Sequence, residues 1–261
     1  MQYRTMPRTG DKISVLGYGC MRLPLDGEGK IDEERAQKLV RTSIDRGVNY
    51  IDTAYTYHME ESEPFVGRAL TDGYREKVFL ATKLPSWLVE TPSDMDRFLD
   101  EQLARLQTDF IDYYLVHSLN YDRWENMKKH DVAAFLDRAL ADGRIRRAGF
   151  SFHDRLSLFK EVVDYYPWHF CQIQYNFVDT EYQAGTEGLR YASEKGMGVV
   201  IMEPLRGGNL ARNVPEVISS IWAESPKKLS PAGWALLWLW NQPEVSVVLS
   251  GMTTESDLED N

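Results

Sequence analysis

Cysteine is scarce in this 261-residue sequence: Cys20 and Cys171 form neither a CxxC pair nor a metal-binding spacing. Two thiols make no disulfide framework, so the fold must rest on an apolar core. Long hydrophobic runs are also missing. The densest, Trp234 to Trp240, has seven residues, far short of a membrane span. The opening stretch MQYRTMPRTGDK lacks an apolar signal core, which sets the expectation of a cytoplasmic chain. Positive charge is in deficit, with 30 Lys+Arg against 40 Asp+Glu and a formal net charge of −10. That balance argues against nucleic acid or an anionic membrane as the main partner. No Pro-, Ser- or Gly-rich linker interrupts the chain, so residues 1–261 read as one domain. What is present, 43% apolar and 27% charged residues, suits a soluble globular protein and not a disordered one.

The useful pattern is a repeat of structure. Eight short apolar runs, 14–19, 48–52, 78–83, 111–117, 145–151, 170–175, 198–202 and 245–249, read as strands, each followed by a helix-period segment. Their starts lie mostly about 25–35 residues apart, the length of one strand-plus-helix unit. Asp32 before Glu33 and Glu34, Thr91 before Pro92, and Ser230 before Pro231 are helix starts. Thr91 with Asp94 resembles a capping box. Gly47, Gly143 and Gly196 mark helix ends. Eight such units predict an α/β fold, a closed (β/α)8 TIM barrel. The rival, an open doubly wound sheet, needs a glycine fingerprint after its first strand. Gly17-Tyr18-Gly19 continues as Cys20-Met21-Arg22, without the third glycine. The extra length from Glu203 to Leu229 is expected to be a long loop on the strand-exit side. Thr253–Asn261 begins like the eighth helix and is too short to complete it, as in an abbreviated helix or a piece of a longer chain.

In such a barrel, chemistry gathers where strands exit. Asp52, Lys83, His117 and Ser151 close successive apolar runs there: VNYID, VFLATK, IDYYLVH and IRRAGFS. Singly, each could be a solvated loop residue; their joint occurrence on adjacent strands points to one pocket. A buried Lys and Asp on neighbouring strands are expected to pair, since an unpaired buried charge is costly. A Tyr beside that Lys would have its pKa lowered, and both Tyr55 and Tyr57 follow Asp52.

The stretch Asp52-Thr53-Ala54-Tyr55-Thr56-Tyr57, continuing through Glu63 to Gly67-Arg68-Ala69-Leu70, resembles the signature of the aldo-keto reductases. Ala81-Thr82-Lys83, Leu115-Val116-His117, Gly149-Phe150-Ser151, Gln172-Ile173-Gln174-Tyr175-Asn176, Glu203-Pro204-Leu205 and Ser250-Gly251-Met252-Thr253 extend the likeness over nearly the whole chain. The resemblance selects Tyr57 over Tyr55 and implies a catalytic tetrad of Asp52, Tyr57, Lys83 and His117. It implies a barrel that binds NADP or NAD without a Rossmann motif, no metal, and reduction of a small-molecule carbonyl substrate. The implied cofactor contacts are Gly19, Cys20, Met21, Asp52, Ser151, Gln172, Met202, Pro204, Leu205, Gly207, Gly208, Ser250, Gly251, Met252 and Asn261. Two departures stand out. Phe152 follows Ser151 where the family commonly has Asn, so that either His153 substitutes for the amide or its hydrogen bond is not made. Met202 stands where many members stack an aromatic ring. The family favours NADP, whereas Glu255 and Asp257, with no cation in Gly251–Asp257, favour NAD.

For the substrate pocket, Tyr18, Met21, Trp87, His117 and the 118–130 stretch are candidate walls, with ordinary loop packing the rival reading of Trp87 and Trp124. His58, His130, His153 and His169 have no metal-ligand spacing. The branch resembled often carries a ferredoxin-like C-terminal extension, and its cysteines do not occur here. Two readings compete with a reductase: a nicotinamide-nucleotide-binding redox sensor or regulatory subunit with little turnover, and an electron-transfer partner acting through a missing tail.

Overall fold

The computed structural model describes residues 1–212 and 214–261. A hairpin of β1 (Tyr3–Thr5) and β2 (Lys12–Ser14) comes first. The barrel strands follow as β3 (Leu16–Gly19), β4 (Tyr50–Asp52), β5 (Phe79–Leu84), β6 (Tyr113–Leu119), β7 (Ala148–Phe152), β8 (Phe170–Gln174), β9 (Gly198–Met202) and β10 (Val247–Ser250). Around them run α1 (Glu33–Asp45), α2 (Ser62–Ala69), α3 (Pro92–Leu106), α4 (Tyr121–Lys129), α5 (Val132–Ala141), α6 (Leu156–Tyr165) and α7 (Gly185–Glu194). The last helices are α8 (Asn209–Arg212), α9 (Glu216–Glu224), α10 (Pro231–Trp240) and α11 (Glu255–Asp260). All eight barrel strands pair in parallel, and β10 closes the ring by pairing with both β9 and β3. Closure leaves the barrel sheet without an open edge.

The helix signals act as their chemistry dictates. Asp32 caps α1 by accepting the Arg35 N–H, Thr91 and Asp94 form a capping box on α3, and Ser230 caps α10. Gly47, Gly143 and Gly196 each turn the chain at positive φ after a helix, where a side chain would be strained. The expected first strand is divided in two. The Ser14 N–H donates to Asn49 Oδ1 at 2.7 Å and its hydroxyl to the Leu16 carbonyl at 2.6 Å, turning the chain at Val15. The 203–229 stretch is not a plain loop, since α8 and α9 lie within it and Trp222 stacks on Trp234. The eighth helix is short, six residues closed by a Thr254–Asp257 capping box. Among the described residues, no helix is long and apolar enough to cross a membrane.

The pleat decides what faces inward. Outward residues such as Ile51, Leu80, Val116 and Ile201 pack against Leu39, Phe65, Leu99 and Leu236 of the helices. Inward residues Tyr50, Ala81, Tyr113, Leu115, Phe170, Val200 and Val247 fill the lower barrel with Met6 and Ile13 of the hairpin. Two residues further along each strand, the same inward face reaches Asp52, Lys83 and His117, and likewise Gln172 and Met202. Strand geometry therefore delivers polar groups to one end of a filled barrel.

Candidate active site

Lys83 stands at the centre of that end and is wholly buried. Its ammonium donates to Asp52 Oδ1 at 2.7 Å, to the Thr53 carbonyl at 2.7 Å and to the Tyr57 hydroxyl at 3.4 Å. These contacts use all three of its hydrogens. Burial alone would lower the Lys83 pKa, but Asp52 and Tyr57 overcome it and hold the group above its ordinary value. The ammonium therefore stays charged. Tyr57 behaves differently from expectation. Burial raises its pKa, and Asp52 adds to the rise, so the opposing pull of Lys83 leaves a net upward shift. The expected lowering is corrected: a desolvated phenol needs the ammonium merely to limit the increase.

The His117 ring lies 6.1 Å from that of Tyr57 and 5.2 Å from that of Trp87. Burial, then the charges of Lys83, His153 and Arg123, hold its pKa well below 6.5. The imidazole is neutral at pH 7, and its buried Nδ1 has no hydrogen-bond partner in the protein. The four residues expected to meet do meet at one mouth.

Behind them lies support that sequence reasoning did not single out. Thr82 donates to Glu63 at 2.5 Å, and Gln102 donates to Glu63 at 2.6 Å and to the Lys83 carbonyl at 3.0 Å. The Tyr114 hydroxyl holds the Gln102 carbonyl at 2.8 Å. The one signal was Glu63 itself, a carboxylate inside the signature stretch. Immediately after Tyr57, His58, Met59 and Glu60 all adopt left-handed backbone, with φ of 51°, 54° and 73°. Such a run costs about 1–2 kcal/mol per residue and has to be held. The Leu23 N–H donates to His58 Nε2 at 3.2 Å, and Arg105 reaches Glu60 at 2.7 Å.

The positions implied for a cofactor also gather at this end. Gln172 Oε1 is buried without a partner, while its amide nitrogen lies 3.6 Å from Met202 Sδ. Ser151 Oγ accepts the Ser118 N–H at 2.6 Å. Phe152 turns outward into a cluster with Phe150 and Phe159, so it replaces no side-chain contact in the pocket, and His153 follows it at an exposed position. The exit loops of β9 and β10 close around an arginine. A Cβ on Gly207 would stand 2.9 Å from the Arg22 guanidinium, and one on Gly251 3.0 Å from the Arg22 Cβ. Pro204 and Leu205 precede this cradle. Gly19 leads to buried Cys20 and exposed Met21 in a short turn, and Asn261 donates to Ser250 Oγ at 3.0 Å. An acceptor awaiting an amide donor, an unpartnered imidazole and a glycine-lined loop with a cation fit a nicotinamide dinucleotide. Arg22 lies far in sequence from Gly251–Asp257, the stretch that carries no cation of its own, and only the fold brings Arg22 beside Gly251.

Two expected pocket walls need correction. Tyr18 is fully buried with its hydroxyl donated to the Met252 carbonyl at 2.8 Å, so it braces the β10 exit and lines no opening. Trp124 is likewise core, its indole N–H held by Glu161. Trp87, 37% exposed, does stand at the mouth beside His117. A cleft of about 650 Å³ between Arg75–Phe79 and Leu106–Phe110 contains none of these residues and sits at the strand-entry end.

The sequence profile described as "Aldo/keto reductase family" matches residues 15–261. The aldo-keto reductase YhdN of Bacillus subtilis is 29% identical over 228 residues, which cover 83% of this chain and 66% of that protein. The 6-dehydroglucose reductase of Novosphingobium aromaticivorans is 30% identical over 161 residues, or 57% of this chain and 51% of that one. The matches thus span between half and two thirds of these two relatives. Among solved structures, the holo form of aldo-keto reductase AKR11C1 from Bacillus halodurans superposes with a TM-score of 0.82 at 26% identity, covering 99% of this chain and 89% of that one.

Proposed function

The chain belongs to the aldo/keto reductase family, and from that premise we propose that it is a nicotinamide-dependent oxidoreductase that reversibly reduces the carbonyl of a small aldehyde or ketone. The observation that carries this reading is the contact chain Asp52–Lys83–Tyr57 with neutral His117 beside it. When bound, the reduced nicotinamide supplies the hydride for the carbonyl carbon. Gln172 and Ser151 would hold its carboxamide. His117, uncharged, donates an N–H to the carbonyl oxygen and orients it. Tyr57 passes its hydroxyl proton to that same oxygen, giving an alcohol and a phenolate. Lys83 stabilises the phenolate, and Asp52 keeps Lys83 charged and in place. A proton from water then restores the phenol. In the reverse direction the phenolate is the base.

We assign NADP ahead of NAD, by a narrow margin. The two acids that argued against a 2′-phosphate are engaged elsewhere: Asp257 accepts the Thr253 and Thr254 N–H groups, and Glu255 pairs with Lys38 at 3.2 Å. Arg22 lies between the two loops nearest that end of the site.

Replacing Tyr57 by Phe tests the assignment. Turnover is expected to fall about 10²–10⁴-fold, while dinucleotide affinity, read by fluorescence titration, stays within about twofold. Lost binding with preserved turnover would overturn it. Dinucleotide binding without consumption across a broad carbonyl panel would support the sensor reading.

A further inference from the structure

At the mouth of the site stands a cation that the proposed chemistry does not use. Arg123, half-buried in the first turn of α4, lays its guanidinium over the Trp87 ring at 4.8 Å. His117 is another neighbour of that ring, at 5.2 Å. The guanidinium is therefore no farther from the imidazole than these two steps laid end to end. One nitrogen, Nη1, donates to the Ser118 carbonyl at 2.8 Å and hydroxyl at 2.7 Å. Nε and Nη2 have no acceptor among the described residues, and no described carboxylate lies within 4.0 Å of the group. Half-buried Arg4 likewise meets only carbonyls, though through both of its terminal nitrogens, whereas other half-buried arginines pair with carboxylates. Arg105 meets Glu60 and Glu101, and Arg144 meets Asp96, Asp100 and Asp142.

The surrounding charges leave that cation uncompensated. Lys83 is neutralised by Asp52. The acids on the neighbouring segments are Glu90, Asp122, Glu125 and Asp154, none of them paired with Arg123; Glu125 pairs with Lys128, and Asp154 accepts the N–H groups of Tyr121 and Arg155. The positive field reaches the site, since Arg123 contributes to the downward shift of both His117 and His153. A planar guanidinium with two free donors on one edge matches a carboxylate bidentately, and stacking on Trp87 fixes its plane. With those two steps as its upper limit, the span from His117 to Arg123 admits at most one aromatic ring or a chain of a few carbons.

We propose that Arg123, stacked on Trp87, recognises an anionic group, so that the preferred substrates are aldehydes or ketones bearing a carboxylate remote from the reacting carbonyl. The chemistry of this inference rests on the carbonyl-reductase reading; the binding does not.

The test compares 4-carboxybenzaldehyde with methyl 4-formylbenzoate, which share ring and aldehyde and differ in charge. Binding is measured by calorimetry on the full chain with oxidised dinucleotide, where no reduction occurs, and also without it. The acid is expected to bind about tenfold more tightly than the ester, with a preference that shrinks as salt rises. Arg123→Gln should remove most of that preference and Arg123→Lys should retain part of it. Equal affinity for acid and ester in the unsubstituted protein would overturn the proposal. So would an Arg123→Gln protein that loses both ligands alike, the mark of a packing role under Trp87. Turnover with NADPH separates the two readings. Preferential acid binding without reduction of either aldehyde leaves the anion site standing and sinks the reductase, whereas equal binding and reduction of both does the reverse.

Discussion

Tyr57 and His117 show how burial, a property no single residue carries, sets the working charge of each group. A buried imidazole under the influence of Lys83 and Arg123 stays neutral, and a buried phenol keeps its proton. In the reduction direction both are already in their working forms at neutrality. The kcat/KM profile for carbonyl reduction is therefore expected to be flat, with its acid limb below pH 6.5 and its alkaline limb above about 10. A limb between these would contradict the assignment. Stability follows the same shift. Below about pH 6.5 the unfolded chain takes up a proton at His117 that the folded site refuses, so stability falls as pH drops from there toward the depressed folded pKa. Lys83 has the opposite sign: its raised pKa stabilises the fold below its unfolded value, and that contribution is lost as pH climbs through the folded one. Lys83→Met strands the Asp52 carboxylate and is expected to cost about 3–5 kcal/mol in urea denaturation. Three of these side chains were legible because they end apolar runs on the inward pleat, whereas Tyr57 was separated from Tyr55 only by the family resemblance. The direction of the Tyr57 shift was not legible, because depth of burial is decided by helices distant in sequence. For the same reason Tyr18 read as a pocket wall and is instead core.

Among the elements, α2 and α3 meet most closely where Gly67 faces the end of α3. A Cβ there would lie 2.6 Å from the Arg105 carbonyl oxygen and 2.9 Å from the Leu106 carbonyl carbon. Backbone cannot give way as a flexible side chain can. Gly67→Ala is expected to cost about 1–3 kcal/mol by thermal denaturation. An unchanged melting temperature would show that the helices can separate freely. The same end of α3 carries Arg105, which pins the left-handed residues after Tyr57, so the helix pair and the phenol are mechanically linked. Helix starts with a capping hydroxyl or carboxylate were readable as such. The α9 start was not: Pro215 offers no side-chain cap, and Val217 and Ile221 face solvent where an apolar stripe would normally face the core. The left-handed turn was equally hidden, since Met and Glu carry no preference for that backbone.

At the scale of the whole molecule, the hairpin is the part that sequence reasoning passed over. Its strands have three residues each, and its anchors are carbonyls far along the chain. Arg4 donates to the carbonyls of Trp240, Gln242 and Val245, and Arg8 to those of Trp168 and Lys195. Met6, almost without exposed surface, presses on Gly198 at the base of β9. Met6→Ala is expected to destabilise the protein by about 2–5 kcal/mol in urea, the cost of a cavity in a closed core. A smaller loss would mean that the hairpin settles into the space. The barrel order, by contrast, followed directly from eight spaced apolar runs, because neighbouring units in the chain are neighbours in the ring. Met6 and Ile13 of the hairpin stopper the lower end of the barrel, so among the described residues the site opens at the strand-exit end. Whatever seats deepest beside Tyr57 must arrive first and leave last, so under the proposed function a dinucleotide and a carbonyl compound would have to queue, with the pace of a full cycle governed by departure and not by bond-making.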